Sequence, residues 1–302
     1  MRSPEFDSST PGRSAARGRP LWFAALLLLG AAPAAAQAGE TASGAKPAGS
    51  VTKASAAGAA KGKSKPAGPL DELSALLASQ DSDELRLGIE SAASSRRPGS
   101  AVLLAERVRA GLPADLIGPA IDALAALGDP KAGDVLAELS AHRRPAVRVR
   151  ALLALSILRA PNAEGLLIRA LSDQDESVRK AGVEGLGEIG SKQALAPLFR
   201  ALERGVEGAA AALGKLAEAS TVPRVTAQFG RISFVSLAPL LDALLMRRGF
   251  SEEAKLSIVD AATRQATAEA RAYLEGLAPQ LPADTPLRVR KAVTDALLRM
   301  PK

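Results

Sequence analysis

The chain has 302 residues and no cysteine, and 39 Lys/Arg against 32 Asp/Glu residues give it a formal net charge of +7. The lack of cysteine excludes a disulfide framework, a thiolate metal site and a cysteine nucleophile. Hydrophobic residues make up 47% of the chain but aromatic residues only 3%. This composition favours thin helical layers over a β-sandwich, because sheets are enriched in β-branched and aromatic side chains.

Residues 1–38 have the pattern of a secretory signal. Four arginines precede an apolar run from Leu21 to Ala36, and the run ends in small residues. The run is shorter than the roughly 20 residues that span a bilayer, and Pro33 interrupts it. We therefore expect an exported protein, periplasmic or secreted, cleaved near Ala36 or Ala38. The alternative is a membrane anchor formed by an uncleaved signal.

Residues 39–69 consist almost entirely of Ala, Gly, Ser, Lys, Thr and Pro. Such a segment buries too little apolar surface to offset its ordering entropy, so the pattern predicts a disordered linker. Its five lysines are compatible with weak contact to an anionic envelope surface, but a solubilising spacer is the favoured interpretation.

The net positive charge belongs to these first 69 residues. They hold nine of the basic and three of the acidic residues, which leaves 30 basic and 29 acidic residues for the remainder. A nucleic-acid-binding domain usually carries a basic excess on the domain itself. We therefore expect no nucleic-acid partner.

From residue 70 to the end, the sequence repeats with a period of 31 residues. Apolar or small residues recur at this spacing in four sets, which we call columns: Leu85, Leu116, Val147 and Val178; Ala92, Ala123, Ala154 and Gly185; Ala93, Leu124, Leu155 and Leu186; and Ala101, Ala132, Ala163 and Ala194. Repeat units of this size cannot bury an apolar face alone and must stack on their neighbours. The sequence predicts an all-α solenoid of about seven two-helix repeats over residues 70–302.

Within one unit the apolar spacing is helical. Val147, Ala151 and Leu155 fall on one face of a first helix, and Pro145 precedes it, where a first-turn proline is tolerated. A break at 160–162 separates a second helix. The following first helix ends at Gly190, a suitable left-handed cap.

The segment 175–190, DESVRKAGVEGLGEIG, resembles the HEAT-like repeat of the phycobilisome-lyase type, in which an apolar-Arg pair begins the first helix. Residues 146–155 and 287–297 match the same pattern. The resemblance is strong over 114–204 and weak over 70–110 and 205–285, where the register shifts.

The resemblance implies roles for two sets of residues. The arginines of the apolar-Arg pair are expected to be structural at the turns between repeats, with Asp173 and Asp175 as partners of Arg179: these are Arg86, Arg148, Arg179 and Arg290. A second-helix column spaced by 31 is expected to line the concave face and to bind a partner: Arg107, Glu138, Arg169 and Arg200. The alternative for that column is a solvated position that is often charged.

Nothing in the sequence indicates catalysis, a cofactor or a metal site. His142 is the only histidine and Arg143 follows it, whereas the HEAT-like di-iron hydroxylases would need His-Glu pairs. The expected function is therefore an exported, non-catalytic scaffold that binds an unknown protein partner. The alternatives left open are a bilin-lyase-like enzyme and a nucleic-acid-binding HEAT-like protein.

Overall fold

The computed structural model describes residues 68–95 and 97–301. The predicted signal and nearly all of the predicted linker lie outside these residues. The described part is all-α and contains fifteen α-helices: α1 Pro69–Ala78, α2 Ser82–Ser95, α3 Ser100–Ala110, α4 Ile117–Leu127, α5 Gly133–Leu139, α6 Pro145–Leu158, α7 Ala163–Ala170, α8 Glu176–Ile189, α9 Leu195–Glu203, α10 Ala209–Leu216, α11 Val222–Thr226, α12 Phe234–Leu245, α13 Glu252–Gln265, α14 Ala268–Leu277 and α15 Leu287–Arg299.

The helices stack as two layers, as the 31-residue period predicts. The even-numbered helices α2 to α14 each pack on the next even-numbered helix, and the odd-numbered helices contribute the second layer. The members of the four columns lie in the core between them, except that Ala93 is partly buried against it, and Leu124, Leu155 and Leu186 have 0% exposure. The predicted α-solenoid of two-helix repeats is confirmed.

Helix boundaries follow from local chemistry. Pro145 is the first residue of α6, and the Asp175 side chain accepts a hydrogen bond from the Ser177 N–H at the start of α8. Gly128 and Gly190 end α4 and α8 with φ of 69° and 78°. Glycine adopts this left-handed conformation without the Cβ clash that other residues suffer. The predicted cap at Gly190 is confirmed.

Two glycines of α8 mark a close approach between this helix and α7, the second helix of the preceding unit. A Cβ added to Gly185 would lie 2.5 Å from a methyl carbon of Leu167, and one added to Gly182 would lie 2.9 Å from the Leu167 carbonyl oxygen. Helix α8 therefore rests directly on α7, and a larger residue at either glycine would push the layers apart.

The pattern changes near residue 250, where the sequence resemblance weakens. Helices α13 and α15 begin with the apolar-basic pairs Ala254-Lys255 and Val289-Arg290, which are typical of first helices. However, α13 packs on α11 and α15, in the second layer. First-helix sequences therefore move from one layer to the other at the α12–α13 connection.

Among residues 68–95 and 97–301, no helix combines the length and apolar character required to cross a bilayer.

Candidate functional site

Arg148 joins two successive repeats through a largely buried bidentate ion pair. Its Nε and Nη2 lie 3.0 and 2.7 Å from the two carboxylate oxygens of Asp173, and its Nη1 donates to the His142 carbonyl at 3.0 Å. The two side chains are 15% and 19% exposed. The guanidinium therefore bonds the turn before its own helix and the turn before α8.

This arrangement lowers the pKa of the Asp173 carboxyl group. Its partial burial acts to raise its pKa, but hydrogen bonds from Arg148 and from the Asp175 N–H, together with the Arg148 charge, hold the pKa below its usual value. Asp173 is therefore ionised at neutral pH and stabilised by its partners.

The other arginines of the apolar-Arg pair also reach the turns between repeats. Arg179 donates to the carbonyls of Asp173 and Gln174 at 3.0 and 2.9 Å, and Arg290 donates to the carbonyls of Thr285 and Pro282. Arg86 lies 3.3 Å from Asp115, in an exposed pair.

The carboxylate partners expected for Arg179 differ in the structure. The Asp173 side chain is bound by Arg148, which belongs to the preceding repeat, and the Asp175 side chain caps α8. Arg179 therefore bonds the backbone of the turn, because the nearest carboxylates already have partners.

Some exposed charges form ion pairs between successive repeats. Within residues 68–95 and 97–301, six further ion pairs join residues 26 to 29 positions apart, about one repeat, across successive units: Arg86–Asp115, Arg109–Glu138, Arg150–Asp122, Lys180–Glu207, Lys192–Glu218 and Lys215–Glu188. Exposed pairs contribute only about 0–1 kcal/mol each. The charges of these six pairs are neutralised by their neighbours, so they are not available to bind a partner.

The four residues of the predicted partner-binding column have different surroundings. Glu138 is paired with Arg109 of the preceding second helix at 2.9 Å, and Arg107 donates to the Gly111 carbonyl at the end of its own helix. Arg169 and Arg200 are exposed, and neither forms an ion pair with another described residue. Only the later half of the column therefore offers accessible cationic groups.

Arg204 shows that the ends of α7 and α9 lie together. Its Nη2 donates to the Leu171 carbonyl at 3.0 Å, and its Nε donates to the Arg200 carbonyl at 3.3 Å. Leu171 follows Arg169 by two residues and ends α7. Arg204 therefore links the C-terminal turn that carries Arg169 to the one that carries Arg200.

The next second helix extends this basic surface. The guanidinium carbon of Arg224, in the last turn of α11, lies 4.4 Å from the ring centre of Phe199. Cation–π contacts of this kind hold a guanidinium in place. We define the basic edge as the four arginines at these C-terminal turns: Arg169, Arg200, Arg204 and Arg224.

The acids closest in sequence to the basic edge have other partners. Glu203 accepts a hydrogen bond from the Gln228 side chain at 3.2 Å, Glu164 accepts from Ser191, and Asp173 is bound by Arg148. Glu203 and Glu164 keep their negative charge, because their partners are neutral groups. The four arginines outnumber these two carboxylates, so the basic edge keeps a local excess of positive charge on a domain that is nearly neutral.

Arg204 and Arg224 were not identified from the sequence. They lie outside the 31-residue column, and their placement depends on contacts between residues 25 to 33 positions apart. A search for arginine in the last turn of every second helix, where the helix dipole favours cations, would have found Arg224 beside Arg169 and Arg200.

The remaining titratable groups of note have structural environments. The Tyr273 hydroxyl donates to Asp242 at 2.8 Å, and its burial, with the Asp242 charge, raises the pKa of the phenol. The Nδ1 of His142 accepts a hydrogen bond from the Arg144 N–H at 3.1 Å. Within the described ranges, no group of three or more acidic or histidine side chains is arranged to hold a metal ion.

Comparison with protein-family models finds HEAT repeats in part of the chain. A family model of HEAT repeats matches residues 135–214 and 163–230, which include the most regular units. A comparison with curated protein sequences finds no match.

Solved structures with related folds include the complex of CpcE and CpcF of phycocyanin lyase from Nostoc sp. PCC7120, at 21% identity over 80% of this chain and 99% of that chain, with a TM-score of 0.42. Human deoxyhypusine hydroxylase matches at 18% identity over 76% and 95%, with a TM-score of 0.34. A designed armadillo repeat protein in complex with the peptide (KR)4 matches at 18% identity over 77% and 99%, with a TM-score of 0.34. None of these likenesses carries information on the activity of this chain.

Proposed function

We propose that the chain is an exported, non-catalytic scaffold whose HEAT repeats bind an acidic segment of a partner protein along the basic edge. The observation that carries this proposal is the grouping of four arginines at adjoining helix ends. Arg169 and Arg200 are exposed on adjoining helix ends without a carboxylate partner among the described residues. Arg204 bridges these two ends, and Arg224 lies over the ring of Phe199, the residue before Arg200.

The chemistry of the basic edge suits carboxylate recognition. Each guanidinium carries five donors in a planar fork that fits a carboxylate bidentately. Arg204 and Arg224 are already oriented by a backbone carbonyl and an aromatic ring, so less side-chain entropy is lost when a ligand binds. Because the arginines lie on successive helices, they favour an extended acidic segment over a single small ion.

The near-neutral balance of the repeats argues against a nucleic-acid partner. Residues 70–302 carry 30 basic and 29 acidic residues, and affinity for a phosphate backbone depends on many cationic contacts. A bilin-lyase-like enzyme remains the catalytic alternative, and an absorbance change on mixing the protein with free bilin would favour it.

We expect the double variant Arg169→Glu, Arg200→Glu to weaken partner binding by at least tenfold without unfolding the repeats. Charge-assisted hydrogen bonds contribute about 1.5–3 kcal/mol each, and reversal of the charge adds repulsion against an acidic segment. The measurement is a binding isotherm for the partner obtained by affinity capture with the wild-type chain, alongside a thermal melt.

The matched control is Lys291→Glu, Arg299→Glu, which changes the net charge equally at two exposed cations of α15 that form no ion pair with another described residue. It should retain binding. If the basic-edge variant binds its partner as the wild type does, or if both variants lose binding equally, the basic edge is not the recognition surface.

Export gives a separate expectation. The mature protein should begin within a few residues of Gln37 or Gly39, because small residues follow the apolar run. N-terminal sequencing of protein from the exported fraction measures this. A chain that retains Met1 in membrane pellets would indicate an anchor, and one that retains Met1 in the cytosol would contradict export.

A further inference from the structure

A cavity of about 160 Å³ lies between the turn that precedes α13 and the turn that precedes α15. It is separate from the basic edge, which lies on α7, α9 and α11. Its polar and charged lining consists of five side chains: Arg247, Arg248, Lys255, Asp284 and Thr285. Three of these are basic and one is acidic.

Lys255 is buried in the wall of this cavity, and not all of its N–H hydrogen-bond donors have an acceptor. Its side chain belongs to a residue that is 4% exposed, and its Nζ donates to the Arg247 carbonyl at 2.9 Å. An ammonium group has three donors, and no further partner of this nitrogen is found among the described residues. Burial lowers the pKa of Lys255, although the Asp284 charge opposes that shift.

Lys255 occupies the place that arginine takes in α8 and α15. Arg179 and Arg290 each bond two carbonyls of the turn before their helix, and Arg290 reaches a carbonyl eight residues earlier, as Lys255 does. Lysine lacks the second arm of a guanidinium. The substitution therefore leaves both space and unused donors beside the turn.

Thr285 supplies a second, independent feature of the cavity. It is 8% exposed, and its Oγ1 is buried without a hydrogen-bond partner among the described residues. Buried hydroxyl groups in folded proteins nearly always have a partner. A hydroxyl that lines a cavity beside a buried ammonium is suited to donate to a ligand oxygen.

The charge of the cavity favours an anion. Asp284 forms an ion pair with Arg248 at 3.1 Å, so its negative charge is neutralised. Arg247 is held by the carbonyls of Ala217 and Gly214, with its guanidinium charge retained at the wall. The charge of Lys255 has no carboxylate partner of its own within hydrogen-bond distance.

We infer that this cavity binds a small oxyanion, a carboxylate or a phosphate group, through the Lys255 ammonium and the Thr285 hydroxyl. The volume accommodates such a group, since a water molecule takes about 30 Å³ in the liquid and the cavity is about five times larger. The anion would join the turn before α13 to the turn before α15 and so connect the last repeats.

The test is a calorimetric titration of the full chain with sodium phosphate and, separately, with sodium acetate, at constant ionic strength set by sodium chloride. Saturable binding of one equivalent is expected for at least one of them, and the comparison tells a tetrahedral oxyanion from a carboxylate. Thr285→Val should weaken that binding at least tenfold, and Lys255→Met should abolish it. Lys291→Met, which removes an exposed lysine of α15, should leave it unchanged.

Thr285→Val keeps the inference falsifiable if Lys255→Met does not fold. Valine has nearly the same shape as threonine, and the hydroxyl that it removes has no partner in the fold, so without added anion the variant should melt at the wild-type temperature or above it. Absence of saturable binding by both anions would overturn the inference, as would equal binding by wild type and Thr285→Val. A lowered melting temperature of Thr285→Val without added anion, together with no anion effect on the wild type, would assign the cavity to water.

Discussion

Leu155→Asp and Leu186→Asp are each expected to destabilise the central repeats by about 4 kcal/mol or more. Both leucines have 0% exposure and occupy the same core column one repeat apart. Aspartate removes the apolar contacts and buries a carboxyl group without a partner. Since a domain's whole stability is about 5–15 kcal/mol, either change consumes a large part of it. We expect the melting temperature to fall by about 10 °C or more.

The loss should spread to neighbouring units, because each repeat is stabilised by the repeats on either side of it. Hydrogen exchange should show the largest loss of protection in α6 to α9. The control is Ile157→Asp on the same helix as Leu155, at a residue that is 58% exposed, where a cost within about 0.5 kcal/mol is expected. A wild-type melting curve for Leu155→Asp would refute the register of the core.

Arg148→Met should destabilise the solenoid by about 3 kcal/mol at pH 7, because it leaves the largely buried Asp173 carboxylate without its bidentate partner. Arg150→Met is the matched control. It lies two residues further along α6 and breaks an exposed pair with Asp122, which should cost less than about 1 kcal/mol. Chemical denaturation of both variants measures the difference.

The effect of Arg148→Met should depend on pH in a defined direction. The folded state holds the pKa of Asp173 below its ordinary value of about 3.9. The stability that the ion pair contributes is therefore complete well above pH 4 and is lost as the pH falls through the lower, folded value. We expect the gap between wild type and variant to narrow between pH 5 and about pH 2. A gap that stays constant over this range would show that the pair is not its source.

The fold could be predicted from the sequence because a solenoid repeats one set of contacts. Positions such as Leu124, Leu155 and Leu186 face the same neighbours in each unit, so one helical period and one repeat period are enough to place them in the core. The helix ends at Pro145 and Gly190 follow from strictly local backbone chemistry.

The charged surface could be predicted only in part, because ion pairing depends on which side chain of the next unit is within reach. The spacing of 31 placed Glu138 and Arg169 in one column, but Glu138 is bound by Arg109, a residue of another column. Likewise, the Asp173 carboxylate forms its ion pair with Arg148 and not with Arg179. These choices depend on the twist between units and on side-chain length, neither of which the period contains.

The cavity beside Lys255 was missed for a related reason. The basic residue after Ala254 follows the apolar-basic pattern, but the weak register over 205–285 hid its equivalence to Arg290. Its interest comes from the combination of a shorter cation, an unpaired Thr285 hydroxyl and a turn from the following unit. A sequence pattern cannot show that combination.

The change of layer at the α12–α13 connection limits how this chain can grow. Between α4 and α9 every interface is built from the same columns, so duplication of one 31-residue unit would present matching surfaces at both junctions. A unit duplicated across α12 and α13 would instead set two unlike surfaces against each other. Duplication of a unit can therefore lengthen the solenoid within α4 to α9 with interfaces that already exist, whereas duplication across the α12–α13 connection would need a new one.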